Sequence, residues 1–425
     1  LNGQRMECSG KFENNGTTDW EDGMLLCGEL TINGTSDNVT GSTIIVNGAV
    51  ADSTTDFSSG TFGGDSTTNL LMNTAAVSYN WQPSKYYRGN LIIASPFVNN
   101  HTEYNKCGNL TIATGGTLDG NTIASDLYIY GDFNVGGGLI GKSAYSSNGD
   151  ADNYGTGGSA GLSSTGGPWT VEGWIRCADY SSAEQHWAGM DELQLYITSS
   201  GQPRVSSGGV SSSATNPDGS IAQPFTDGSW HHVAVVYDSG ETNKRRMWVD
   251  GKELILSSPT ATVTLGSVDE YYIGRHYDNT SYNLDGEIGY LRIWDEARTE
   301  TEIRTNMFTK APSPQPNINL LFDEGDGNVT VDNTGLAGAD GDGTLEFDSL
   351  WAGHGAFTRG DSTLHMIGED KQFSVVDALN VYNVTTTDTG ETNFYEPFGY
   401  AELGIHGTLT QGDGTIDWDC AGKWH

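Results

Sequence analysis

The stretch DGSWHHVAVVYD, Asp227 to Asp238, constrains the fold more than any other. Read with a period of two, Trp230, His232, Ala234 and Val236 fall on one face, and His231, Val233, Val235 and Tyr237 on the other. Apolar side chains on both faces describe a central strand covered on both sides, because an edge or solvent-facing strand keeps one face polar. The answering run MWVDGKEL, Met247 to Leu254, follows a short polar link, SGETNKRR, that suits an antiparallel connection. Asp250-Gly251 supplies the next tight turn.

The rest of the chain repeats this habit in shorter pieces. Over residues 1–140, Leu30 and Ile32, Leu110 and Ile112, and Leu127 and Ile129 each place two aliphatics on one face with a polar residue between. Asn33-Gly34 and Asn47-Gly48 read as hairpin-type turns. The recurring pattern suggests stacked rungs of a β-solenoid, with an open sandwich as the rival. Residues 358–425 return to the same rhythm at Leu364 and Met366 and at Leu379 and Val381. No long stretch has helical periodicity; DEARTETEIRTNMF, with Ala297, Ile303 and Met307 as apolar contacts, is the one helical turn expected. The expected class is all-β: a sandwich over 141–357, flanked by or inserted into an elongated β-rich framework formed by 1–140 and 358–425.

The middle block carries a specific string. SNGDADNY is followed by WTVEGWIR, DGSWHHVAVVYD, WVDGKEL, YYIGR and LDGEIGYLRIWDEARTETEI. This order resembles the laminin-G-like, concanavalin A-like jelly roll, the group that includes pentraxins. The segment Ile318 to Phe347 resembles a strip that often accompanies such domains and is expected to close the sandwich, with APSPQP as connector. The resemblance implies a recognition module with framework histidines at 231 and 232. It also implies calcium at the sandwich rim, although the pentraxin double-calcium string is not reproduced.

Calcium takes six to eight oxygen donors, so rim loops rich in Asp and Asn are where it is expected. The candidates are Asp150, Asp152, Asp278, Asp285 and Asp326. A glycan site needs aromatic faces for stacking and amides for hydrogen bonds. RHYDNTSYN offers His276, Tyr277, Asn279, Tyr282 and Asn283, with Trp187 and Tyr154 as neighbours. The remaining tryptophans Trp174, Trp230, Trp248 and Trp294 are assigned to the core.

A net charge of −35 opposes any nucleic-acid partner. No run approaches the ~18 apolar residues of a membrane helix, so membrane insertion is not expected. The five cysteines are irregularly spaced and form neither a disulfide framework nor a zinc pattern, though Cys8 and Cys27 could bridge. GGGLIGKS, Gly136 to Ser143, matches a phosphate loop in letters, but AYSSNGDADNYG after it cannot be the required helix. Arg359-Gly360-Asp361 matches an integrin tripeptide, and sequons occur at Asn15, Asn33, Asn38, Asn100, Asn109, Asn279, Asn328 and Asn383. Enzyme signatures are missing.

The expectation is a non-enzymatic, extracellular structural or adhesion protein. It is a phage virion surface or fibre component that displays a glycan-binding domain, partnered by a cell-surface glycan or neighbouring virion subunits, with homo-oligomers plausible. The alternatives are a secreted bacterial adhesin, an accessory carbohydrate-binding module of a polysaccharide-degrading enzyme, and a capsid cementing protein without sugar binding.

Overall fold

The computed structural model describes residues 4–32, 35–37, 41–47, 61–62, 67–73, 89–98, 105–119, 127–135, 138–140, 144–149, 154–163, 166–181 and 183–263. Beyond these it describes 265–266, 269–278, 282–324, 329–334, 342–346, 350–351, 356–358, 363–366, 371–375, 379–381, 383–386, 391–395, 402–405, 409–411, 415–419 and 423–424. The chain divides into two units, one made of Leu1–Lys142 with Gly353–His425, the other of Ser143–Ala352.

The first unit is a parallel β-solenoid. Its largest sheet has 10 strands, from Arg5–Asn14 through Asn69–Met72, Asn90–Ile93, Leu110–Ile112 and Phe133–Val135 to Lys371–Val375, Glu391–Tyr395 and Thr415–Asp419. A second parallel sheet stacks Asn105–Cys107, Leu127–Ile129, Thr363–Met366, Asn383–Thr386 and Leu409–Gln411. Inward positions superpose from rung to rung: Ile44, Leu70, Leu91, Leu110 and Phe133 form one buried column, and Val46, Met72, Ile93, Ile112 and Val135 another. Each such side chain contributes roughly 1.5–3 kcal/mol of burial. The LxI rhythm is the trace of these columns.

The hairpins expected at Asn33-Gly34 and Asn47-Gly48 do not occur as pairings. Met24–Ile32 pairs in parallel with Thr43–Val46, and Thr43–Val46 with Asn69–Met72, so strands flanking these dipeptides are not hydrogen-bonded to each other. The dipeptides themselves lie partly or wholly outside the described residues, as do the phosphate-loop match in part and the Arg359-Gly360-Asp361 tripeptide. Described residues after the phosphate-loop match form a strand, Tyr145–Asn148, which cannot serve a phosphate.

A side-chain ladder runs beside the columns. Asn90 Nδ2 donates to Asn69 Oδ1 at 3.0 Å, Asn109 Nδ2 donates to Asn90 Oδ1 at 2.6 Å, and the Asp132 amide donates to Asn109 Oδ1 at 2.7 Å. Asparagine suits this because one amide both donates and accepts along the stack. The sequon at Asn109 is thereby spoken for, since its nitrogen is a ladder donor.

The rungs continue across the second unit. Thr117–Asp119 pairs with Ala356–Thr358, Leu127–Ile129 with Thr363–Met366, and Phe133–Val135 with Lys371–Val375. The intervening unit is an insertion into one turn of the solenoid. Ala356 and Phe357, assigned from sequence to the sandwich, lie in a strand that pairs with Thr117–Asp119 of the solenoid. The insertion's own first and last strands, Tyr145–Asn148 and Leu350–Trp351, pair antiparallel, so the chain enters and leaves it side by side.

The second unit is a two-layered antiparallel sandwich. One layer orders Gly343–Glu346, Tyr154–Gly157, Tyr271–Ile273, Gln185–Met190, Leu193–Ile197, Pro203–Ser207 and Val210–Thr215. The other orders Lys252–Leu256, Arg245–Val249, Trp230–Tyr237, Trp169–Cys177, Asp285–Trp294 and Tyr145–Asn148. Between them lies one core containing Val171, Ile175, Trp187, Leu193, Leu195, Val233, Val235, Tyr237, Ile273 and Ile293. The opposite side of the Trp230–Tyr237 strand packs Ala234 and Val236 with Trp248 and Ile303. Ile303 comes from the helix Glu300–Asn306, started by a capping box in which Thr299 and Glu302 bond each other's backbone amides. The central strand is thus buried on both faces.

The adjacent histidines take opposite protonation states. His231 reaches Asp250 Oδ2 with Nδ1 at 2.8 Å and Asp227 Oδ1 with Nε2 at 3.2 Å. Burial disfavours its charge, but the two carboxylates more than offset that and raise its pKa to about 10. Asp250 (φ +48°) and Gly251 (φ +67°) make the tight turn, so the ion pair ties the start of one strand to the end of its hairpin. His232 points the other way, with Nε2 against the Tyr290 hydroxyl at 2.7 Å. Burial and the nearby Arg292 push its pKa down to about 3, so it is neutral. Both ring nitrogens of His231 are engaged by carboxylates, which leaves it no lone pair for a metal.

Two outcomes follow from these contacts. Asn90→Ala removes a donor and an acceptor from the ladder and should lower solenoid stability by about 1–3 kcal/mol in urea titration, with the sandwich transition unmoved. Because the His231 pKa is raised on folding, its contribution is complete below the unfolded value of about 6.5 and is lost as pH climbs through about 10. Denaturation midpoints of the sandwich should therefore fall from pH 6.5 to 10, and His231→Gln should flatten that slope.

Candidate functional site

In the layer that contains Gln185–Met190, alternate residues point away from the core. Leu193, Leu195, Ile197, Val205, Ala214, Tyr271 and Ile273 are inward, so their strand neighbours form the outer face. Register then assembles two rows. One runs Thr344, Thr156, Tyr272, Gly189, Gln194, Ser206 and Ser211. The other runs His186, Tyr196, Arg204 and Ser213. The face is a lattice of hydroxyls, two tyrosines, an imidazole and a guanidinium.

Its aromatic end is built around His186. A β-bulge between His186 and Ala188 sends Trp187 and Ala188 into the core and leaves His186 on the outer face. The imidazole stacks on Tyr196 with ring centroids 4.7 Å apart and an interplanar angle of 7°. Tyr282 stacks against it at 5.7 Å, and His276 meets it edge-on at 4.7 Å. Tyr277 stacks on His276 at 4.9 Å. The segment Arg275–Asp278 is held by His276 Nδ1 against Asp278 Oδ1 at 2.7 Å, and Tyr282–Asn283 by the His186 amide donating to the Tyr282 carbonyl at 3.3 Å. Arg275 lies over the Tyr154 ring at 3.8 Å and also approaches Tyr272. The Tyr272 hydroxyl bonds Glu270, and burial followed by that bond raises its pKa to about 12.

Of the residues expected at a ligand site, His276, Tyr277 and Tyr282 gather in this cluster. Asn283 is buried beside His186, bridged to it through backbone. Asn279 lies outside the described residues. Trp187 is a correction: at 1% exposure it is core, because the bulge turns its ring inward and denies it to any ligand. Sequence reading missed His186, Tyr196, Arg204 and Tyr272. LQLYITSSGQPRVSSG alternates clearly enough to give the face, but which strands adjoin could not be read.

Of the acids expected to hold calcium, Asp278 and Asp285 are among the described residues. Among the described residues no three of His, Cys, Asp and Glu are grouped to hold a metal ion. Asp278 is exposed and engaged by His276. Asp285 begins its strand half-buried, its pKa raised by burial and by the charge of Asp179. Asp150, Asp152 and Asp326 lie outside the described residues.

Sandwich topology, buried tryptophans and capping helix together define a concanavalin A-like domain. Residues 148–304 match the laminin-G family model described as the concanavalin A-like lectin/glucanases superfamily, so the inserted unit is laminin-G-like. No curated protein sequence matches the chain. Similar solved structures include a carbohydrate-binding protein from Bacteroides ovatus, described as putative, at 22% identity and TM-score 0.36, covering 49% of this chain and 61% of that one. A heptameric pentraxin from Limulus polyphemus has 15% identity and TM-score 0.30, covering 47% of this chain and 98% of that one. A Trypanosoma rangeli sialidase has 16% identity and TM-score 0.26, covering 33% of this chain and 23% of that one. None of these likenesses carries function across.

Proposed function

We propose that this is a glycan-binding surface protein, a phage virion or fibre component whose β-solenoid carries an inserted laminin-G-like binding domain. The observation that carries the proposal is the outer face of the Gln185–Met190 layer, where the half-exposed Tyr272, Tyr277, Tyr282, Arg204 and Ser213 gather around a buried His186–Tyr196 stack. Aromatic faces stack on the apolar faces of pyranose rings, while hydroxyl and guanidinium groups meet sugar hydroxyls. The action is binding without turnover and takes place outside the cell. Multiple copies would raise avidity without new contacts.

A net charge of −35 sets nucleic acid aside as partner, and among the described residues no helix is long and apolar enough to cross a membrane. Calcium belongs to the same proposal as a stabiliser of the rim at Asp285, where a divalent cation would relieve the repulsion from Asp179.

On a glycan array the protein should bind at least one polysaccharide-derived oligomer, and Tyr272→Ala with Tyr277→Ala should weaken that binding tenfold or more. Silence across the array, with and without calcium, would remove the proposal. Millimolar calcium should raise the melting temperature of the sandwich, and Asp285→Asn should abolish the rise. Mass spectrometry of purified virions tests the location.

A further inference from the structure

The imidazole at the centre of the aromatic cluster has a chemical polarity that the surrounding bonds fix. Gln194 Nε2 donates to the Asp191 carbonyl at 2.9 Å. A carbonyl cannot donate, so the amide nitrogen must face Asp191 and the amide oxygen must face the other way. That oxygen lies 3.1 Å from His186 Nδ1. An amide oxygen only accepts, so Nδ1 carries the proton. The remaining nitrogen, Nε2, is then a bare lone pair, and it is buried without a hydrogen-bond partner. The ring itself is 2% exposed. Burial, then the neighbouring His276, pushes its pKa down to about 3, so this tautomer persists at ordinary pH.

A buried acceptor left unpaired costs on the order of 1–3 kcal/mol. Two devices keep this one in place. Gly189 lies opposite Gln194, and a Cβ there would come 2.8 Å from Gln194 Oε1 and 3.0 Å from the Leu193 carbonyl, so any larger residue would dislodge the amide that fixes the tautomer. Tyr196 stacks on the ring and holds its plane. His276 and Tyr282, both half-buried, pack against the imidazole, His276 edge-on and Tyr282 stacked. Next along the same row but one, Arg204 Nε is a buried donor, also without a partner.

We infer that His186 Nε2 is a hydroxyl-reading acceptor, and that the face therefore selects neutral, hydroxyl-bearing glycans over uronate or sulfated ones. This rests on the proposed glycan-binding role and deepens it. An incoming O–H donates to Nε2. A carboxylate or sulfate oxygen would set lone pair against lone pair there and leave the cost of the buried acceptor unrelieved. Arg204 supplies the complementary donor to a hydroxyl oxygen further along the chain.

The test uses the whole protein with maltohexaose, cellohexaose, laminarihexaose and mannohexaose, set against oligogalacturonate and a sulfated oligomer. Wild type should bind a neutral hexaose and prefer it to the anionic probes. His186→Phe, which keeps the stacking and removes the acceptor, should weaken that binding tenfold or more with the melting temperature nearly unchanged. Gln194→Leu, which frees the tautomer, should weaken it severalfold, and guards against a misfolded phenylalanine variant. Long-range proton–nitrogen NMR of His186 should show the Nδ1-protonated form. Unchanged affinity in a folded His186→Phe protein, preference for the anionic probes, or an Nε2-protonated ring would overturn the inference while leaving glycan binding intact. Binding of no glycan by wild type would remove both.

Discussion

Backbone pairing of Trp230–Tyr237 between Trp169–Cys177 and Arg245–Val249 is the constraint on which the sandwich depends. A strand hydrogen-bonded on both edges and covered on both faces leaves no choice to its neighbours. One side must be met by the second layer, and the other by something that is not a sheet, here the helix Glu300–Asn306 with Ile303. Some of the polar groups trapped on the helix side find partners. Arg292 reaches the Asn319 side chain, the Asn306 carbonyl and Glu172, and Trp174 donates to the Met307 carbonyl at 2.7 Å. The helix covers the Ala234, Val236 and Trp248 side of that layer, and the aromatic cluster lies on the outer face of the opposite layer.

How much of this the sequence disclosed depends on how far apart the interacting residues are. Period-two alternation is a local signal, so the faces of Trp230–Tyr237 and the LxI rungs were legible from single strands. Asp250-Gly251 was legible because a turn demands particular residues. The site was legible only where it is contiguous: His276, Tyr277 and Tyr282 come from one loop. His186, Tyr196 and Arg204 sit on three strands, and their meeting is set by register, which no single strand encodes. Trp187 failed for a related reason. One extra residue in a strand inverts the side-chain assignment that follows it, and nothing in QHWAGM announces the bulge.

The irregular spacing that obscured the solenoid has a similar origin. A parallel stack fixes the register of the strands and leaves the corners between them free in length. Asn69, Asn90 and Asn109 align in space while standing unequally apart in sequence. The largest corner is an entire folded domain. A solenoid tolerates this because each rung is satisfied by the rungs above and below it. Phe133–Val135 finds Lys371–Val375 as readily as Leu110–Ile112 finds Phe133–Val135. The inserted unit meets its side of the bargain by pairing Tyr145–Asn148 with Leu350–Trp351, which returns the chain to where it left.

Three buried histidines in the same domain show why burial alone does not assign a role. His231 lies between two carboxylates and is charged, which makes it a tie between strand and turn. His232 is neutral and bonded to a tyrosine hydroxyl beneath the helix, which makes it part of the core's polar lining. His186 is neutral as well, but its only side-chain bond is spent on Gln194, and its other nitrogen faces no partner. Folding requires the first arrangement, which satisfies both ring nitrogens. His232, like His186, keeps one ring nitrogen unpaired, but it packs beneath the helix and not on the outer face of the opposite layer. What sets His186 apart from His232 is its surroundings: its unpaired acceptor lies beside the half-exposed Tyr282 and His276, where a donor from outside the chain would relieve it.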